Sequence, residues 1–145
     1  LILFSSAVEL FIKNVSIMKN LIIDTASKKI FLTLMVNKNI YTRTYDNSKN
    51  NFDKLMILIN EILIENKVKI SEIATIYVNR GPGSFAGIRS CFSLVKGFFL
   101  IYKINYYCFS FDDFDKIGTI KYEDVPNLCV KFKIKKNLIN PLYLS

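Results

Sequence analysis

The chain has 145 residues, room for one domain or for one domain plus a remnant, and its 51% apolar content excludes a disordered polypeptide. Twenty Lys and Arg against 12 Asp and Glu leave a net charge of +8, which suits nucleic acid or an acidic partner but also follows from a composition rich in Lys, Asn, Ile, Phe and Tyr. Histidine is absent from these residues, which excludes among them any Ser-His or Cys-His relay, histidine metal ligand or imidazole acid–base step.

Residues 1–17 are apolar but interrupted by Glu9 and Lys13, so they make neither a membrane span nor a convincing signal peptide. Met18 stands directly before a strong strand pattern, and the expectation is that it is the natural start, with 1–17 an upstream extension. Asn20 to Ser27 reads as a buried strand ending in Asp24-Thr25 and a turn. Ile30 to Val36 and Ile40 to Tyr45 read as two further strands joined by a tight turn at Asn37-Lys38-Asn39, completing an antiparallel meander. Phe52 to Asn66 predicts a helix with an apolar stripe of Phe52, Leu55, Met56, Ile59, Ile62 and Leu63. Ile57, Leu58 and Ile64 widen the apolar arc beyond what one sheet contact needs.

Ala74 to Val78 reads as a fourth strand, followed by Asn79-Arg80-Gly81-Pro82-Gly83-Ser84-Phe85-Ala86-Gly87-Ile88-Arg89 and a long apolar run to Tyr102. Three of the five glycines fall within Gly81 to Gly87. Gly81 and Gly83 permit positive φ or a close backbone approach, and Ser84 is placed to cap the helix. Strand, glycine loop and helix N-terminus together suit an anion, so Asp24, Thr25, Gly81, Gly83 and Ser84 are candidate anion- or nucleotide-binding residues. The loop is not a Walker loop, because no Gly-Lys-Ser/Thr follows, and Ala86 stands where a full Gly-x-Gly-x-x-Gly has its third glycine.

The helix Phe85 to Tyr102 is about 27 Å long if unbroken. Arg89 and Lys96 argue against a membrane span, and its small residues allow close helix approach. Both helices carry surplus apolar surface, so a protein partner is favoured over a crowded internal core. Asn105 to Phe109 is a fifth, aromatic strand. Beyond it, Thr119 to Tyr122 and Leu128 to Ile134 read as a hairpin around Pro126-Asn127. In such a strand the lysines of Lys131 to Lys136 share one face, open to tRNA phosphate contact or to protection of a solvated edge. Cys91, Cys108 and Cys129 are widely spaced and odd in number, which fits reduced core thiols in a cytosolic protein.

Three strands, helix, strand, helix, strand is the order of a ribonuclease-H-like or actin-like (ASKHA) α/β lobe, with a five-stranded mixed sheet and two long helices. In that class an Asp at the end of the first strand contacts nucleotide phosphate or its metal; Asp24 occupies that place, where it also reads as a plain turn carboxylate.

Ile22-Ile23-Asp24-Thr25, the helix around Asp53 to Ile59, Ile70-Ser71-Glu72-Ile73 and above all Arg80 to Arg89 resemble the TsaB (YeaZ) family, whose loop reads Gly-Arg-Gly-Pro-Gly-Ser-Phe-Thr-Gly-Leu-Arg. The likeness covers Met18 to about Phe114, and Asn51 stands where the family commonly has histidine. The resemblance implies a cytoplasmic, non-catalytic subunit of the machinery that threonylcarbamoylates the adenosine beside the tRNA anticodon. It implies pairing with a TsaD-like catalytic subunit through the two helices, with a TsaE-like ATPase joining. No cofactor or metal is expected in this subunit, tRNA is met only through the complex, and a homodimer is left open. The interface is expected at Leu55, Leu58, Ile59 and Ile62 on the first helix and Gly87, Ser90, Cys91 and Leu94 on the second. A bulky residue at Gly87 is expected to abolish the complex while leaving the monomer folded. The expected organisation is 1–17 as extension, 18–111 as the first lobe and 112–145 as a reduced remnant of a second lobe most of which is missing. The rivals are a small ATP-dependent phosphotransferase or ATPase using Asp24 and the 81–84 loop, and a degenerate paralogue without function.

Overall fold

Alternating β-branched and apolar residues build a five-stranded sheet whose central strand is buried on both faces. The computed structural model describes residues 18–115 and 118–144; the upstream extension expected over 1–17 lies outside the described residues. The strands are β1 (Lys19–Asp24), β2 (Lys29–Val36), β3 (Asn39–Asp46), β4 (Thr75–Asn79) and β5 (Asn105–Phe109), in the spatial order β3-β2-β1-β4-β5. The meander β1–β2–β3 is antiparallel, with Asn37 at φ 57° turning β2 into β3, and β4 and β5 add in parallel. Parallel addition needs crossovers, which the two helical segments supply.

The first helical segment is α1 (Lys49–Asp53) followed by α2 (Leu55–Glu65); the second is α3 (Phe85–Tyr102). The single helix expected over 52–66 is thus broken at Lys54, which takes φ −108°, ψ 23°. Ser48 caps α1, its side chain accepting from the Asn51 N–H at 3.3 Å. These helices lie on one sheet face, where Leu21, Ile23, Leu32, Ile59, Ile62, Ile88 and Val95 are fully buried. Leu58, expected at the margin of the stripe, is also buried, whereas Ile57 and Ile64 are exposed. The helix α3 is long and apolar enough by composition to cross a bilayer; here its Ile88, Cys91, Phe92, Val95 and Phe98 pack against the core.

The opposite sheet face carries a second core of Ile22, Tyr77, Phe109, Phe114, Val125 and Cys129. The expected hairpin is absent. A 3₁₀ turn at Tyr122–Asp124 leads into α4 (Val125–Lys131), with Pro126 in its first turn, where a missing N–H costs nothing. Val125 and Cys129, four apart, point to the sheet as helical spacing requires. Lys133 at φ 54° ends this helix, and the chain returns along the edge strand β5. There Asn137 stands in for a strand: its N–H donates to the Tyr106 carbonyl at 2.8 Å, and its side-chain oxygen accepts from the Tyr106 N–H at 2.9 Å. The exposed edge is thereby paired.

Candidate functional site

Asp24 ends β1 with no exposed surface. Its Oδ1 accepts from the N–H groups of Ala26 and Ser27, both at 2.9 Å, and its Oδ2 accepts from the Ser27 hydroxyl at 2.6 Å and the Tyr122 hydroxyl at 2.5 Å. Four donors from the chain itself therefore satisfy a carboxylate that would otherwise be a severe buried charge. Burial pushes the Tyr122 hydroxyl far above its ordinary range, and the charge and hydrogen bond of Asp24 push it the same way. Beside it the Thr25 hydroxyl donates to the Gly87 carbonyl at 2.8 Å, tying the end of β1 to α3. Asn51, where the resemblance expects histidine, donates to the Asp46 carbonyl at 2.7 Å.

The glycine loop is engaged in the same inward manner. Gly81 has φ 122°, which only glycine adopts readily, and a Cβ there would lie 2.0 Å from the Leu142 carbonyl oxygen. Its N–H donates to Asn79 Oδ1 at 3.0 Å. The Leu142 N–H donates to the Arg80 carbonyl at 2.7 Å, the Gly83 N–H to the Leu142 carbonyl at 3.3 Å, and the Leu144 N–H to the Gly83 carbonyl at 3.0 Å. Ser84 caps α3 as its sequence position predicts, accepting from the Gly87 N–H at 3.3 Å. The structure brings Asp24, Thr25, Gly81, Gly83 and Ser84 into one region. It also spends the amides of Gly81 and Gly83, and every oxygen of the Asp24 carboxylate, on internal bonds.

Arg80 locks this region. Its Nε and Nη2 meet Asp113 at 3.1 and 2.7 Å, and its Nη1 donates to the Asn140 carbonyl at 3.1 Å. Burial pushes the Asp113 carboxyl up, but hydrogen bonds from Arg80 and the Ser110 N–H, with the Arg80 charge, outweigh it and hold the group below its ordinary range. The sequence signal for Asp113 is the Ser110-x-x-Asp113 capping pattern. Tyr122 and Leu142 carry no such signal, since their partners are distant in the chain. Among the described residues no three His, Cys, Asp or Glu side chains converge as metal ligands, and the three cysteines are buried free thiols.

The residues expected at a partner interface divide in two. Leu55, Leu58, Ile59, Ile62, Gly87 and Cys91 are buried within this chain's own core. Ser90 and Leu94 are half-exposed and, with the rims of Leu55, Met56 and Arg89, line a cleft of about 410 Å³ between the α1–α2 segment and α3. The space around Gly87 leaves no room for a bulky residue without moving this chain's own core, so such a substitution is predicted to disturb the monomer as well as any complex. A Cβ there already lies 2.7 Å from the Thr25 carbonyl oxygen and 2.8 Å from the Phe52 ring. Apolar surface open to a partner lies instead at Ile57, Ile64, Leu100 and Ile101, each more than half exposed.

Comparison with known proteins places this geometry. The family model for TsaD, tRNA N6-adenosine threonylcarbamoyltransferase, matches residues 45–110. The tRNA threonylcarbamoyladenosine biosynthesis protein TsaB of Buchnera aphidicola subsp. Baizongia pistaciae (strain Bp) is 31% identical over 74 residues, which are 51% of this chain and 34% of that protein. YeaZ from Pseudomonas aeruginosa has the same fold, with TM-score 0.60 and 22% identity over 64% of this chain and 44% of its own. A second structure, described as an uncharacterized protein with similarity to peptidase YeaZ from Pseudomonas aeruginosa, matches with TM-score 0.60 and 22% identity, covering 64% of this chain and 43% of its own. The chain thus spans about a third of the curated relative and under half of either solved structure. Over the lobe built from β1 to β5 the chain is similar in sequence to this TsaB and shares the fold of YeaZ, and residues 45–110 match the TsaD family model.

Proposed function

We propose that this protein is a non-catalytic subunit in tRNA threonylcarbamoyladenosine biosynthesis, and that it pairs in the cytoplasm with a TsaD-like catalytic subunit. The observation that carries the reading is the contrast between its two candidate sites. The Asp24 carboxylate and the amides of Gly81 and Gly83 are engaged by the chain itself. The cleft between α2 and α3 is open and partly apolar, with Ser90 and Leu94 on its wall. A partner helix laid in that cleft would meet Ser90, Leu94 and Met56 and would leave the core residues beneath untouched. A TsaE-like ATPase would join the pair, and neither nucleotide nor metal is assigned to this subunit. The names of the related proteins support the pathway, and the fold supports the placement of the helices.

The test is co-expression with the TsaD-like subunit of the same organism, followed by affinity capture and size-exclusion chromatography. Wild-type chain co-elutes with the partner. Leu94→Asp with Ser90→Arg loses co-elution while circular dichroism shows the chain still folded. ATP binding by the isolated chain, abolished in Asp24→Ala, would instead establish the phosphotransferase reading.

A further inference from the structure

All acidic residues of the chain lie outside two stretches, 73–111 and 125–145, neither of which contains Asp or Glu. The first stretch carries Arg80, Arg89, Lys96 and Lys103; the second carries Lys131, Lys133, Lys135 and Lys136. Separated in sequence by the acidic segment 112–124, the two are joined in the fold. Asn137 pairs with Tyr106, the Asn140 carbonyl receives Arg80, and Tyr143 bridges to Gly83. Two hollows result, one on each side of residues 138–141. One is lined by Arg80, Lys133 and Lys135, the other by Arg89 and Lys96. The acid lining them is Asp113, and Arg80 already neutralises it. Apart from Arg80, these cations are exposed.

The lysine run is not a strand face protecting a sheet edge. Asn137 and the bridge from Lys136 to Tyr107 pair that edge directly, while Lys131, Lys133 and Lys135 point to solvent. What remains is a band of mostly like charge, flanked by the half-buried ring of Phe132 and the exposed ring of Tyr143; acids stand only at its margins, where Lys131 shares a hollow with Asp115 and Asp124 and Arg89 shares one with Asp53. Such a band attracts a polyanion, and concave cation-lined hollows on either side of a ridge suit successive phosphates of a nucleic acid backbone.

We infer that this band, spanning Lys131–Lys136 and the Arg89–Lys96 face of α3, binds the ribose–phosphate backbone of RNA directly. The choice of RNA over other polyanions rests on the proposed place in tRNA modification; the existence of the band does not. Binding is through phosphates, so it is sequence-tolerant and strongly salt-dependent.

The test is fluorescence anisotropy of the full chain with a fluorescein-labelled tRNA anticodon stem-loop, titrated at several salt concentrations. Lys133→Ala with Lys135→Ala, and separately Arg89→Ala with Lys96→Ala, are each expected to weaken binding roughly tenfold at 0.1 M salt. Each should reduce the slope of log K against log salt by about 1.5. Lys28→Ala with Lys29→Ala and Lys38→Ala removes more charge from a remote surface and is expected to leave both quantities unchanged. Circular dichroism checks that each variant is folded. Equal loss in all three variants would reduce the effect to net charge and overturn the inference. Absence of binding at low salt would also overturn it, as would binding to phosphatidylserine vesicles without binding to RNA. Capture of the TsaD-like subunit is read separately and is expected to survive the lysine substitutions, so failure of one proposal does not disguise failure of the other.

Discussion

The Tyr122 hydroxyl donates to Oδ2 of Asp24 at 2.5 Å across 98 residues of sequence. The segment after β5 is thereby fastened to the end of β1 at a carboxylate that has no access to water. Tyr122→Phe keeps the ring contacts with Phe31 and Phe111 and removes only this donor. The Ser27 hydroxyl and two N–H groups still serve the carboxylate, so the loss is expected to be about 2 kcal/mol rather than collapse. Urea unfolding of the two proteins measures it; an unchanged midpoint would mean that the contact contributes nothing.

Two glycines of α3 should respond to alanine with opposite signs. At Gly87 a Cβ meets the Thr25 carbonyl oxygen at 2.7 Å and the Phe52 ring at 2.8 and 3.0 Å, so Gly87→Ala must push α3 off β1 or displace Phe52. A loss of about 2 kcal/mol is expected. At Gly97 nothing lies within 4 Å of the added carbon, and the residue sits inside the same helix. Gly97→Ala should therefore gain roughly 0.5–1 kcal/mol from reduced backbone entropy of the unfolded chain. Thermal melts of both variants decide the matter, and a Gly87→Ala protein as stable as wild type would remove the close packing inferred here.

The buried thiols set an alkaline limit. Burial raises Cys108 and Cys129 from an ordinary 9.0 to about 12, with the Arg80 charge partly opposing this at Cys108 and the Asp113 charge adding to it at Cys129. Burial likewise holds Cys91 well above its ordinary value. A group whose folded value is raised keeps its proton in the native state while the unfolded chain loses it. The stability is therefore fully present below pH 9 and is lost progressively as pH rises towards 12. Urea midpoints should stay level from pH 7 to 8.5 and fall between pH 9 and 10.5. A thiol reagent at pH 8 should label the native chain only as fast as it unfolds, and immediate labelling would show an open core.

The sheet was readable because its order rests on local signals. β-branched runs mark the strands, Asn37 marks the β2–β3 turn, and Ser84 marks the start of α3. The break at Lys54 was not readable, since the apolar stripe continues through it. α4 was misread because Lys131 to Lys136 alternates like a strand, while the helical pair Val125 and Cys129 gives only two points of a period. At the site, the residue types were legible and their occupancy was not. A glycine loop looks the same whether its amides face an anion or Leu142, and an apolar helix face looks the same whether its own sheet or a partner covers it. That ambiguity explains why six of the eight expected interface residues lie in the core: apolarity was strongest where the chain needed it for itself.

Arg80 and Asp113 should govern whether the C-terminal segment stays on the glycine loop. The guanidinium bonds Asp113 through two nitrogens and the Asn140 carbonyl through the third, while the Asp113 carboxylate also accepts from the Ser110 N–H at 2.8 Å. Arg80→Lys cannot reproduce three bonds in one plane, because an ammonium lacks the fork. Its loss is expected to approach that of Asp113→Asn, about 2 kcal/mol. The Asp113 carboxyl is held below its ordinary 3.8, so the stability it contributes is present above that pH and is lost as pH falls through the lower folded value. Asp113→Asn should therefore show a shallower fall in stability between pH 5 and 3 than wild type. Hydrogen exchange supplies the local readout. In both variants the N–H groups of Leu142 and Leu144, which bond Arg80 and Gly83, should lose protection before those of β1 and β4 do. Unchanged protection at Leu142 would show that the backbone bridge to the loop holds the segment by itself, with Arg80 serving only the turn at Asp113.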